Sequence, residues 1–444
     1  MQEQTNNVIT IVLTADNHLG YTVPGQPPRK REEQRQRQRR AFQQATDFAV
    51  GQGVDLFLQA GDLFDTPHPD EQDRSFVAVR LAQLKQAGIS VFALGGVHDT
   101  PVEAHSMLGE AAAPAPQLSY ASLGALHYFP PVPGTAHRDS AVGDGQQVLQ
   151  PVMLDIRGVL VGICGLGVPP LSGQQGDPLA LAHIDDDIER AAIPLLLLHA
   201  PIEGVTSLTV ALDTQAQVSR ASIASQTAFR YILSGYHHAF TRFSLDRTEV
   251  IIAGATQHIT FNDPDGDPGF VFLGIAADGL RWCRHISVDG VQLRRLVIPT
   301  ADLWPAETGE EAQATAPAQS PNDRILEQLR PLCTENTMVQ VRLTGELTRQ
   351  RYHQIDQHQL RRYGEDHAFA LAIDDSAVTF VPEAGAASRA QSIVLAASDI
   401  EERLSPRDEL IRLADEWIAA AEDEQEQQAL VATKEELLAA LWKL

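Results

Sequence analysis

The stretch VITIVLTADNHLG, residues 8–20, decides how the chain is read. Its first eight residues are apolar or β-branched, without the alternation of a half-exposed strand. They predict a strand buried on both faces. The strand ends abruptly in Asp16, Asn17, His18 and Gly20, four polar or small residues with no helix pattern. The same punctuation recurs outward along the chain. A predicted strand over 55–60 runs into Gly61-Asp62-Leu63-Phe64-Asp65, and one over 89–94 into Gly95-Gly96-Val97-His98-Asp99. A Leu run over 195–198 ends in His199, and 231–233 leads to Gly235-Tyr236-His237-His238. Amphipathic segments over 41–51 and 73–86 lie between the early strands. Strands alternating with helices imply an α/β sheet, in which ligands collect at the carboxyl ends of the strands.

A lone His or Asp after a strand is usually a hydrogen-bonded loop residue or a helix cap. Five such clusters in order point instead to carboxylates and imidazoles converging on a divalent cation. Two ions roughly 3.5–4 Å apart would clamp a phosphate and activate a water.

The order D-x-H, GD, GNH(D/E), H, GHxH is that of calcineurin-like metallophosphoesterases, and the chain resembles this family. Within it, Gly61-Asp62-Leu63-Phe64-Asp65, the segments 251–257 and 269–271, and the strand 339–345 resemble the SbcD-type nuclease subunit. That subunit pairs with an SMC-like ATPase in double-strand-break processing. The resemblance covers residues 8–380 and implies an α/β metallophosphoesterase sandwich with a small α+β capping domain and C-terminal helices. It implies that Asp16, His18 and His238 hold one ion, that Asp62 bridges, and that His199 holds the second. His98 would contact the scissile phosphate and protonate the leaving group, with Asp99 orienting its ring. Mn²⁺ is the expected metal, as one or two ions, with Mg²⁺, Fe²⁺ and Zn²⁺ as alternatives. DNA, an SMC-like ATPase and a second copy of the chain are the implied partners.

Two positions depart from the family pattern. Val97 stands where Asn is expected and Tyr236 where His is expected. Both would ligate the second ion. Val97 has no lone pair, and a phenol with an ordinary pKa of about 10 ligates at a cost near neutrality. The expected function is therefore DNA phosphodiester hydrolysis at a metal centre whose second position is impaired. The alternatives are a catalytically inactive scaffold or DNA-binding subunit, and a phosphodiesterase for small phosphoesters.

The chain has 444 residues and a formal net charge of −24. That charge opposes general nucleic-acid affinity, which needs clustered cations. The exception is Arg35, Arg37, Arg39 and Arg40 on the helix after the first strand, which are candidate DNA contacts. Cys164, Cys283 and Cys333 form no metal or redox pair. No apolar run is long enough to span a bilayer, and residues 1–7 lack a signal-peptide core, so a cytoplasmic protein without membrane contact is expected. The organisation expected is a catalytic domain over 1–300, a linker over 301–322 and a capping domain over 323–397. A helical partner-binding segment over 398–444 follows. There Leu410, Leu413, Trp417 and Ile418 form one apolar stripe, and Thr433 with Glu436 forms a capping box. The sequence resemblance to the ATPase-docking region assigns this segment to the SMC-like partner.

Overall fold

The computed structural model describes residues 7–23, 25–101, 114–130, 148–167, 176–205, 216–304 and 319–381. The C-terminal segment 398–444 and most of the expected linker lie outside these residues.

The strands in chain order are β1 (Ile9–Thr14), β2 (Leu56–Ala60), β3 (Ser90–Leu94), β4 (His127–Phe129), β5 (Val148–Leu149) and β6 (Val152–Ile156). They continue with β7 (Val159–Gly167), β8 (His183–Ile184), β9 (Ile193–His199), β10 (Tyr231–Ser234), β11 (Thr241–Leu245) and β12 (Thr248–Ile252). The last are β13 (Gly269–Ala276), β14 (Gly279–Ser287), β15 (Gln292–Pro299), β16 (Thr337–Thr348) and β17 (Ala370–Val381). Two six-stranded sheets have the orders β14-β13-β1-β2-β3-β4 and β11-β12-β10-β9-β7-β6.

The two-residue period of each strand divides its side chains between two cores. Ile9, Ile11 and Leu13 of β1, with Leu56 and Leu58 of β2, enter a core shared with Leu195 and Leu197 of β9 and Leu233 of β10. This layer joins the sheets face to face. Val12 and Phe57 point the other way, into a core with Ala41, Phe42 and Ala45 of helix α1 (Pro28–Gln52) and Val77 and Leu81 of helix α2 (Glu71–Gln86). Leu196, Leu198 and Ile232 fill the outer face of the second sheet. The α/β class expected from the strand pattern, and the sandwich implied by the resemblance, are the fold observed. The uninterrupted apolar runs have this cause, since both faces of the central strands are covered.

β1, β2 and β3 are parallel, as are β9 and β10. Their carboxyl ends therefore carry the polar clusters. The loops after β1 and β2 also pair: Leu19 N donates to Leu63 O at 3.0 Å and Asp65 N to Leu19 O at 3.1 Å. Helix α1 begins with Pro28, whose missing N–H costs nothing in the first turn. Two buried polar residues tie it to the first loop. Gln34 Oε1 accepts from Val23 N, and Gln38 accepts from Gly20 N and donates to Tyr21 O.

A three-stranded sheet, β15-β16-β17, follows, with β15 and β16 parallel. A helix over Pro321–Leu329 starts at a capping box formed by Ser320 and Asp323. By contacts, the described residues up to 345, together with 354–379, form one compact unit. Residues 346–353 with 380 and 381 fall outside that unit, and there the Tyr352 and Phe380 rings meet edge-on, 5.4 Å apart. No helix among the described residues is long and apolar enough to cross a membrane.

Candidate metal centre

Asp16, His18, Asp62 and Tyr236 all have positive φ, between 44° and 76°. Such conformations are costly for residues with a Cβ and persist only where the surroundings impose them. Here the surroundings are one another. Asp16 N donates to Gly61 O at 3.0 Å, His18 N to Asp62 O at 3.1 Å, and Tyr236 N to Asp16 Oδ1 at 3.1 Å. His98 N donates to Asp62 Oδ1 at 2.7 Å. The approach of the third loop requires a glycine: a Cβ on Gly96 would lie 2.1 Å from Asp62 Oδ1.

Among the described residues, three groups of side chains bring ligand atoms within 4.8 Å of one another: Asp16–His18–His238, His18–Asp62–His98 and Asp16–Asp62–His199. All six residues named from the sequence for ion and phosphate contact thus meet at one end of the sandwich. Three of them present imidazoles whose Nδ1 is already engaged. His18 Nδ1 lies 3.1 Å from Asp65 Oδ1, His238 Nδ1 3.1 Å from Asp263 Oδ1, and His199 Nδ1 2.8 Å from Ala60 O. This fixes each ring and leaves Nε2 as the donor, the arrangement by which carboxylates and carbonyls orient metal-binding histidines.

The buried atoms His18 Nε2, His199 Nε2 and Asp16 Oδ2 have no hydrogen-bond partner. His199 Nε2 comes within 3.2 Å of Asp62 Oδ2 without making a hydrogen bond. Unpaired buried polar atoms are expensive and need an explanation. A divalent cation supplies one, because imidazole nitrogens and carboxylate oxygens suit Mn²⁺, Fe²⁺ or Zn²⁺. The donors therefore fit a metal. Asp16, His18, His238 and Asp62 would hold the first ion, and Asp62, Asp16 and His199 the second.

Electrostatics agree with this donor set. Burial disfavours ionisation of Asp62, yet His199, His18 and His98 hold its carboxyl far below the usual range. Burial also opposes charge on His199 and His238, but the surrounding aspartates draw both up to about 9. Negative potential therefore collects where a cation would sit.

The two substituted positions lie at this cluster and contribute little to it. Val97 offers no donor. The Tyr236 ring meets His199 edge-on at 5.5 Å, and its phenol is pushed up to about 12 by burial and by Asp62 and Asp16. His237 offers no substitute ligand through Nε2, which accepts from Ile202 N at 2.9 Å.

Some expectations need correction. Asp99 does not orient His98. It is fully buried and accepts from Gly96 N, Leu63 N, Phe64 N and Gln117 Nε2, tying the third loop to the second. The carboxylate facing His98 is Asp65, with Oδ1 3.4 Å from Nδ1 of the half-exposed ring. Arg37 and Arg39 are committed inside the molecule. Arg39 Nε donates to Asp73 at 2.6 Å, and Arg37 binds Glu33 and lies 4.9 Å over the Phe369 ring. Arg35 is partly exposed near Asp70, and Arg40 is exposed.

Asp65 and Asp263 were given no role by sequence reasoning. Asp65 stood within a motif already quoted. Asp263 lies 25 residues beyond His238 in a loop with no distinguishing pattern.

Residues 9–150 match the family model described as calcineurin-like phosphoesterase. The chain contains a calcineurin-like phosphoesterase domain. Two curated relatives, the DNA double-strand break repair proteins Mre11 of Methanosarcina mazei and Methanosarcina acetivorans, are 37% and 36% identical over 92 residues. Those residues are 21% of this chain, and the chain spans 14% of the length of either relative. Among solved structures, a dimetal phosphatase from Danio rerio is 13% identical with a TM-score of 0.34, covering 63% of this chain and 99% of that one. Asp16, His18, Asp62 and His98 lie within the matched residues, and His199 and His238 lie beyond them.

Proposed function

We propose that the chain is an SbcD-like nuclease subunit that hydrolyses DNA phosphodiesters with Mn²⁺, at a centre whose second ion position is impaired. The observation that carries this reading is the asymmetry of the donors. Asp16, His18 and His238 form a group in which both histidine rings are held through Nδ1 by aspartates. A raised phenol, Tyr236, stands against His199, and position 97, between Gly96 and His98, holds a hydrocarbon. The partial similarity to Mre11 double-strand break repair proteins supports DNA as the substrate.

A bound ion would polarise the phosphoryl oxygens and lower the pKa of a water. The chain's own residues do the rest. Asp65 holds His98 at the mouth of the site. His98, drawn up to about 9 against its partial burial by Asp65 and Asp62, can donate a proton to a leaving oxygen. An SMC-like ATPase docking on 398–444, a homodimer and a cytoplasmic location belong to the same proposal.

Digestion of linear DNA with Mn²⁺, with and without an SMC-like ATPase, tests it. Slow hydrolysis lost in His98→Ala is expected; absence of any DNA hydrolysis in either condition contradicts it. The second reading, a non-catalytic subunit, is favoured by Val97 and Tyr236. It predicts that Asp62→Ala leaves complex assembly intact and cellular function unchanged.

A further inference from the structure

A cavity of about 180 Å³ opens beside the metal-ligand cluster and shares His238 with it. Phe240, two residues further on, and His285 of β14 line it with stacked rings, their centroids 4.9 Å apart and planes 25° from parallel. Despite that stack Phe240 keeps 37% of its surface exposed, one of few large apolar side chains among the described residues to do so. Its position is set by backbone packing. Gly254 has φ 79°, and a Cβ there would lie 2.7 Å from Phe240 N and 2.9 Å from His238 O. Ala255 N donates to that same carbonyl at 2.9 Å. Phe240 therefore stays at a fixed offset from His238.

The rest of the lining is not that of an anion site. Asp265 and Asp267 are exposed at the cavity, and Asp265 already pairs with Arg295. Carboxylates repel phosphate but accept hydrogen bonds from amino and imino groups. The cavity thus offers an aromatic face and acceptors next to a cluster suited to a metal and a phosphate. A planar heteroaromatic ring carrying N–H donors, on an ester whose phosphate lies at the cluster, matches both halves.

We propose that this cavity is a nucleobase subsite, in which the base of a bound phosphoester stacks against Phe240 beside the Asp16–His18–His238 cluster. The proposal rests on the phosphoesterase reading of that cluster. Base–aromatic stacking is typically worth about 5- to 150-fold in affinity.

Calorimetric titration in Mn²⁺ with dAMP and with 2-deoxyribose 5-phosphate, which lacks the base, tests it. The wild-type chain is expected to prefer dAMP by at least about fivefold. Phe240→Ala should abolish that preference without changing the affinity for the sugar phosphate, and Phe240→Trp should restore it. Equal affinities in the wild type, no binding of dAMP, or a preference that survives Phe240→Ala would overturn the subsite. Asp16→Asn reads the cluster separately and should weaken both ligands alike. If it changes neither, the phosphoesterase reading fails, while the Phe240 comparison is judged on its own result. The dinucleotide pdApdA separates two sources of the base: Phe240-dependent binding tighter than that of dAMP assigns a strand, and equal binding assigns a free nucleotide.

Discussion

His18 Nδ1 and Asp65 Oδ1 meet at 3.1 Å, and the same carboxylate oxygen lies 3.4 Å from Nδ1 of His98. One acidic side chain thus orients a metal-facing imidazole and the imidazole at the mouth of the site. The pairing of Leu19 with Leu63 and of Asp65 with Leu19 makes this possible, because it aligns the loop after β2 with the loop after β1.

Asp65→Ala should therefore weaken Mn²⁺ binding about 10- to 100-fold, the usual consequence of removing a carboxylate behind a ligating histidine. Asp65→Asn, which keeps an acceptor oxygen, should lose less. Metal titration by calorimetry checks both. Unchanged affinity in Asp65→Ala would deny the carboxylate its orienting role.

Gly96→Ala should damage the site and the fold together. The added methyl would sit 2.1 Å from Asp62 Oδ1 and 2.2 Å from Asp62 N, and Asp62 is buried with its backbone constrained. Overpacking of this kind costs about 1–3 kcal/mol. Denaturant unfolding should show that loss, with weaker metal binding in the folded fraction.

Far from the metal centre, Asp55 gives a pH dependence of stability. Burial raises its carboxyl, but hydrogen bonds from Arg157 and Thr10 outweigh this and leave it below the ordinary value. A carboxyl depressed in the folded state contributes stability above its unfolded pKa and loses it as pH falls through the folded value. Asp55→Asn should therefore destabilise the chain at pH 7. The difference from wild type should shrink in acid, below about pH 4, as Asp55 of the wild type is protonated. Unfolding midpoints at pH 7 and in acid measure it; a pH-independent difference would assign the effect to packing alone.

Much of this arrangement was legible in the sequence. The apolar runs at 8–15 and 195–198 announce strands covered on both faces, and a strand that stops at Asp16 or His199 places its polar residue at the sheet's carboxyl edge. Partners from separate elements were not legible. Nothing near Asp263 in the sequence indicates that it faces His238, and nothing in the Arg run indicates that Arg39 turns to Asp73 while Arg40 stays exposed. Asp99 was misread for a related reason. The family resemblance assigned Asp99 to the His98 ring, but the buried carboxylate turns to the amides of Gly96, Leu63 and Phe64 instead.

If the residues at 97 and 236 limit the second ion position, Val97→Asn combined with Tyr236→His should strengthen it. An ion that clamps the leaving or attacking oxygen contributes several kcal/mol, and each 1.4 kcal/mol is about tenfold. DNA hydrolysis should rise by about a hundredfold or more in the double variant, measured as single-turnover rates. A gain below about threefold would place the limitation elsewhere.

The stoichiometry and affinity of Mn²⁺ binding to the folded wild-type chain test the central claim most directly. One tight ion, lost in Asp16→Asn, and a second bound at least about a hundredfold more weakly are predicted. Two ions of equal affinity, or none, would contradict the account.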